Sequence, residues 1–155
     1  MEHFRIESPA FADAARIPEE YTAHGKNISP PLKWSNVPAH AKELALICED
    51  PDAPNEPPYI HWVAYHIPAV LPELKKNAGQ TNDVEFSQGK NSAGEIAYTG
   101  PKPPSKTGSH RYYFRLFALD EILDIQQGAS VDELMEAMRG HVIGEAEIMG
   151  KQEFH

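Results

Sequence analysis

The chain has 155 residues, 41% of them apolar, and 14 Lys and Arg against 23 Asp and Glu give a formal net charge of −9. That length and balance suit a single domain over residues 1–155 with a real core and argue against disorder, while the acidity excludes a nucleic-acid binder built on a broad basic face. One cysteine, Cys48, excludes a disulfide framework, and no apolar run approaches the ~18–20 residues of a membrane span.

Read from the N-terminus, Met1-Glu2-His3-Phe4-Arg5 lacks the basic-then-apolar order of a signal peptide, so a cytoplasmic location is expected. Ala39–Lys42 begins a short helical turn, and Leu44-Ala45-Leu46-Ile47-Cys48 is a continuous apolar run that predicts a strand covered on both faces. Ile60–Ile67 and Arg111–Leu119, rich in β-branched and aromatic residues, predict two more strands. Near the C-terminus, Ser130-Val131-Asp132-Glu133 is a capping box. Val131, Leu134, Met135 and Met138 then mark one apolar helix face, and Gly140 a stop. Val142–Met149 reads as a closing strand or a helix tail, since Gly144 weakens both. With 14 prolines and 10 glycines punctuating such runs, the pattern predicts a mainly β fold, a sandwich of antiparallel sheets with a few short helices.

Three clusters sit where strands meet Pro/Gly-rich loops. In Asp50-Pro51-Asp52-Ala53-Pro54 the prolines favour an extended chain, in which Asp50 and Asp52 point the same way and can aim at one site, although Asp-Pro-Asp taken alone reads as a common turn. His61-Trp62 opens the next strand, with His61 close enough to the aspartates for a carboxylate to favour its imidazolium, and Trp62 on the opposite face as core. The third runs from Tyr98-Thr99-Gly100-Pro101-Lys102-Pro103-Pro104 to Gly108-Ser109-His110-Arg111-Tyr112. There His110, Tyr112, Phe114 and Leu116 share a face that is polar at the loop end and apolar further in. The Gly100–Gly108 loop offers backbone amides to an anion, without the spacing of a P-loop.

The charge is uneven. Ile96–Leu119 holds no acidic residue but carries Lys102, Lys106, Arg111 and Arg115, a segment of +4 in a body of −13. Such an island either attracts an anion locally or pairs with acidic neighbours across strands.

Taken together, Asp-Pro-Asp-Ala-Pro, His-Trp and Gly-x-x-Pro-Pro-x-x-x-Gly-x-His-Arg-Tyr, in this order and spacing, resemble the phosphatidylethanolamine-binding protein family, in its shorter bacterial Raf-kinase-inhibitor-like branch. The resemblance covers Phe4 to Met149. It implies a β-sandwich of two antiparallel sheets with an anion pocket at one end, lined by Asp50, Asp52, His61, the Gly100–Pro103 loop with Lys102, His110 and Tyr112. Two departures stand out: Lys102 replaces a residue that is small in many relatives, and the chain ends soon after Met149, without the C-terminal helix that borders the pocket in the eukaryotic branch.

Three classes of function follow. The leading one is a non-catalytic binding protein for a small anion, phosphate or a phosphorylated head group, with a phospholipid head group as the lipid variant. His61 and His110 would donate to the ligand, Tyr112 and loop amides would complete the shell, and the aspartates would orient the imidazoles. The second is a regulator of a protein partner, a kinase or protease, docking a phosphorylated loop in the same pocket. The third is a metal-dependent or acid/base enzyme using the Asp/His cluster. Against that third class, Gly-x-Ser-x-Gly and His-x-x-x-His motifs are absent, and Cys48 lies in an apolar run expected to be buried and inert. The leading reading calls for no cofactor, metal, nucleic acid or transmembrane segment. A homodimer through exposed apolar loop residues such as Tyr59 is compatible with it.

Overall fold

The structure, a computed structural model, describes residues 3–53, 58–80, 85–102 and 108–153. Eight strands and one α-helix appear among them: β1 (Arg5–Glu7), β2 (Leu32–Ser35), β3 (Glu43–Asp50), β4 (Tyr59–Pro68), β5 (Glu73–Leu74), β6 (Ser87–Gln88), β7 (His110–Leu119), α1 (Val131–Met138) and β8 (Val142–Gln152). They form two antiparallel sheets, a small one ordered β1-β2-β5 and a large one ordered β6-β4-β3-β7-β8. The expected sandwich is what the chain builds, although β1, β2, β5 and β6 are too short to announce themselves in the sequence. Among the described residues no helix is long and apolar enough to cross a membrane.

The unbroken apolar run of β3 has a simple cause. Leu44, Leu46 and Cys48 face the small sheet in the main core, beside Trp62, Tyr112, Phe114 and Leu116. Ala45 and Ile47 face the other way, into a second core closed by Leu123, Ala129 and the helix residues Leu134 and Met138. A central strand covered on both faces has no solvent side and needs no polar alternation.

Helix α1 is capped as expected: the Ser130 hydroxyl accepts from Glu133 N–H, Glu133 accepts from Ser130 N–H, and Gly140 turns the chain out at φ +80°. One element of the expected apolar face differs. Met135 is 51% exposed, because this two-turn helix seats only Leu134 and Met138 fully against the sheet. Nor does Ala39–Lys42 become helical. Ala41 N–H closes one turn on Pro38 O, and Lys42 N–H is already committed to Leu119 O.

Val142–Met149 resolves as strand. Its glycines serve close approach: a Cβ on Gly144 would stand 2.8 Å from Pro38 Cγ, and one on Gly150 only 2.3 Å from Ile17 Cγ1. Residues 14–17 thereby lie along the outer edge of β8, with Ala14 N–H donating to Met149 O and Ile17 N–H to Lys151 O. That contact blunts an edge that would otherwise offer unpaired backbone groups.

Candidate functional site

Antiparallel pairing of β3 with both neighbours puts the C-terminal end of β3 beside the starts of β4 and β7. The register shows it: Asp50 lies opposite Tyr59 on one side, and Glu49 opposite Tyr113 on the other. Three motifs far apart in sequence therefore meet at one end of the large sheet. Asp50, His61, His110 and Tyr112 are all brought together there, each no more than 5% exposed.

Asp50 continues the inward-facing series Leu44, Leu46, Cys48. Its Oδ2 accepts from His110 Nδ1 at 2.7 Å, and its Oδ1 accepts from Asp52 N–H at 2.7 Å. With the acceptor a carboxylate, the proton of that first bond lies on His110 Nδ1, so Asp50 sets the orientation of the His110 ring. The His110 ring in turn lies nearly parallel to Tyr112, centroids 6.4 Å apart.

His61 reaches this site through an irregularity. Cys48 pairs with Trp62 while the next residue, Glu49, pairs with Ile60, so His61 is an extra residue on β4. A bulge of this kind re-aims a side chain that regular pleating would send elsewhere. Trp62 is core, as expected, but His61 is not simply on the opposite face. Its ring stands edge-on to Tyr112, centroids 5.2 Å apart, and Tyr112 shares the inner core with Trp62. Tyr59 covers His61 from the other side at 4.9 Å.

His61 is also joined twice to Thr99. Thr99 N–H donates to His61 O at 3.0 Å, and His61 Nδ1 bonds Thr99 O at 2.7 Å. A carbonyl oxygen only accepts, so His61 Nδ1 carries a proton and the opposite nitrogen, Nε2, is a lone-pair acceptor whenever the ring is neutral. Burial pushes the His61 pKa below its ordinary value, opposed by the Thr99 bond and the Asp50 charge and assisted by His110. Donation from His61 to a ligand, as expected from the sequence, thus requires the imidazolium that burial disfavours. Burial and the Asp50 charge push the Tyr112 phenol up, so it stays protonated, and burial does the same to the Cys48 thiol. Among the described residues neither His61 Nε2 nor the Tyr112 hydroxyl has a hydrogen-bond partner.

The remaining sequence-selected residues are arranged differently. Asp52 does not share the direction of Asp50, because a turn begins after β3. Both its oxygens bond Arg111: Oδ2 accepts from the backbone N–H at 2.8 Å and from Nε at 2.9 Å, and Oδ1 from Nη2 at 2.9 Å. Arg111 holds the Asp52 carboxyl below its usual range. Gly100 is buried, and its N–H donates to Asn27 Oδ1 at 2.6 Å. The Tyr98 and Thr99 amides are likewise committed, to Gly79 O and His61 O. Within the Gly100–Gly108 loop the Gly100 amide is thus tied to the protein rather than offered to an anion, and residues 103–107 lie outside the described residues. Lys102 is exposed, and Pro103 lies outside the described residues.

The basic island is divided too. Arg111 and Arg115 lie on the outer face of β7, on either side of the Tyr113 ring, and Arg115 Nε sits 2.9 Å from Glu49 Oε1. Pairing with acidic neighbours across strands accounts for two of the four cations. Thr99 and Asn27 are the positioning residues that sequence reasoning did not single out. Thr99 stood inside a quoted motif, whereas nothing local marks Asn27, whose φ of +56° suits a residue tolerant of left-handed backbone.

The phosphatidylethanolamine-binding protein profile matches residues 7–153. A protein called UPF0098 from Methanothermobacter thermautotrophicus is 51% identical over 148 residues, covering 94% of this chain and 95% of its own, and one from Chlamydia pneumoniae is 45% identical over 150 residues, covering 94% and 96%. Among solved structures, the phosphatidylethanolamine-binding protein homologue CT736 of Chlamydia trachomatis superposes with a TM-score of 0.92 at 41% identity, covering 100% of both chains. YbcL of E. coli gives 0.93 at 27% identity, covering 99% of this chain and 100% of its own. By sequence and by fold alike, the chain belongs to the phosphatidylethanolamine-binding protein family.

Proposed function

We propose that this protein is a non-catalytic binding protein whose pocket, at the junction of β3, β4 and β7, takes a small oxyanion: phosphate or a phosphorylated head group. The observation that carries the reading is the buried Asp50–His110 pair, 2.7 Å apart, packed beside His61 and Tyr112. Four polar side chains at one sheet end are costly to bury unless they serve an orienting or binding purpose. Here two of them keep polar atoms without a protein partner among the described residues. The first structural neighbours are called phosphatidylethanolamine-binding protein homologues, which agrees with a phosphorylated ligand.

Catalysis is the weaker reading. Both oxygens of Asp50 and the Nδ1 atoms of both histidines are engaged in fixed hydrogen bonds, an arrangement suited to holding a ring in place. A phosphorylated loop of a protein partner would present the same phosphoryl chemistry to the pocket.

The test is an NMR titration with inorganic phosphate and with phosphoethanolamine. Saturable shifts confined to the His61 and His110 ring signals and the Tyr112 environment are expected. Unmoved signals at millimolar ligand defeat the reading.

A further inference from the structure

Resting on that anion reading, we propose that His61 meets the ligand as a hydrogen-bond acceptor, so that the pocket selects oxyanions that bring their own proton. Inorganic phosphate and singly protonated phosphate monoesters qualify; sulfate and phosphodiesters do not.

The geometry leads there in three steps. His61 Nδ1 is bonded to the Thr99 carbonyl at 2.7 Å, and the reciprocal Thr99 N–H to His61 O bond locks that segment against β4, so the ring cannot flip without losing a bond made in a buried place. Only 5% of His61 is exposed, and the charged form must be made without the help of water. The groups facing the ring are Asp50 from β3, His110 and Tyr112 from β7, Tyr59 from β4 itself, and Thr99. Asp50 is the carboxylate among these groups, and its two oxygens already bond His110 and Asp52 N–H, while His110 opposes a second positive charge. His61 therefore presents a lone pair at Nε2 around neutral pH.

An acceptor facing an oxygen without a proton sets two lone pairs against each other. An acceptor facing P–OH makes a hydrogen bond. Inorganic phosphate keeps at least one proton throughout the neutral range, and a phosphate monoester holds its second proton to about pH 6. Sulfate and a phosphodiester have none to offer. Around neutral pH inorganic phosphate is thus separated from an intact phospholipid head group, which is a diester, while phosphoethanolamine gains the needed proton only toward about pH 6.

The test compares inorganic phosphate, phosphoethanolamine, sulfate and dimethyl phosphate by calorimetry or NMR at matched ionic strength, from about pH 7.5 downward. Phosphate should bind at least about tenfold tighter than sulfate or the diester at the start. The gap should close on acidification by up to about tenfold per pH unit, as each proton taken up by His61 converts the acceptor into a donor. The 15N spectrum of the unliganded imidazole should show the neutral ring protonated at Nδ1, and His61→Gln, which brings an amide donor, should narrow the phosphate–sulfate gap. Equal binding of phosphate and sulfate at the start, or an Nε2-protonated ring, overturns the proposal while leaving an anion pocket in place. Absence of binding by all four probes overturns the anion reading, and this inference with it.

Discussion

Asp52 is held by Arg111 through three hydrogen bonds, all between 2.8 and 2.9 Å, on the outer side of the sheet end whose inner side carries His110. Neighbours in sequence, His110 and Arg111 thus take the two aspartates of Asp-Pro-Asp one each, the first buried with Asp50 and the second exposed with Asp52. One aspartate belongs to the candidate pocket. The other anchors the turn that follows β3.

Arg111→Ala should consequently leave phosphate binding unchanged. Its pair with Asp52 is solvent-exposed and screened by salt, so the loss of stability should be small and should shrink further as ionic strength rises. Phosphate titration and urea unfolding at low and high salt check this. A large loss of affinity would place Arg111 in the pocket after all.

Asp50→Ala should behave very differently. It leaves two donors, the buried His110 Nδ1–H and the Asp52 N–H, without an acceptor, at about 1–3 kcal/mol each. Asp50→Asn keeps the shape, but it must turn an NH2 group toward one of two donors, so it should also destabilise, by about 1 kcal/mol or more. Urea unfolding midpoints measure both, and a neutral Asp50→Asn would contradict the assigned donors.

The pH dependence of folding carries a signature of His61. Its pKa is near 6.5 in the unfolded chain and lower in the folded one. Between those two values the unfolded state binds more protons, so stability rises with pH through that window. His61 therefore adds nothing unfavourable above about pH 6.5. Its penalty grows as pH falls and levels off below the folded pKa. His61→Gln should flatten that part of the stability profile, and an unaltered profile would mean that the ring titrates as if exposed. Phosphate should oppose the acid loss, since a bound anion favours any charge the ring acquires.

Gly150→Ala should destabilise by about 1–3 kcal/mol through overpacking, because the new methyl would meet Ile17 and Phe11 in a filled space. Gly150 is the register partner of Tyr112, so a shift of β8 would be transmitted to the pocket wall. Thermal unfolding gives the cost, and the phosphate affinity of the variant should fall as well.

Much of the site was legible because the three motifs end or begin strands of the same sheet. The apolar run before Asp50 announced a central strand, and the polar-to-apolar gradient of His110, Tyr112 and Phe114 announced a face that opens at one end. Alternation along β7 was read correctly because that strand is regular at its start. It misled at His61, where one extra residue in β4 changes the phase, and at Asp52, where a turn ends the extended chain. The bulge has no local sequence signature, since it depends on which strand lies alongside, whereas Asp-Pro-Asp is itself a common turn sequence, closed here by Asp52 N–H donating to Asp50 Oδ1.

By itself, then, the sequence determined the two-sheet architecture and the capped helix, because these rest on local patterning and short-range hydrogen bonds. Only the tertiary structure decided what each group is free to do. The His61 tautomer rests on Thr99, 38 residues away; the Gly100 amide is taken by Asn27, 73 away; and the Asp52 charge is taken by Arg111, 59 away. The net charge of −9 said nothing of this. A hydrogen-bonding group has few bonds to give, and which partner uses them is settled by contacts that exist only once the chain has folded.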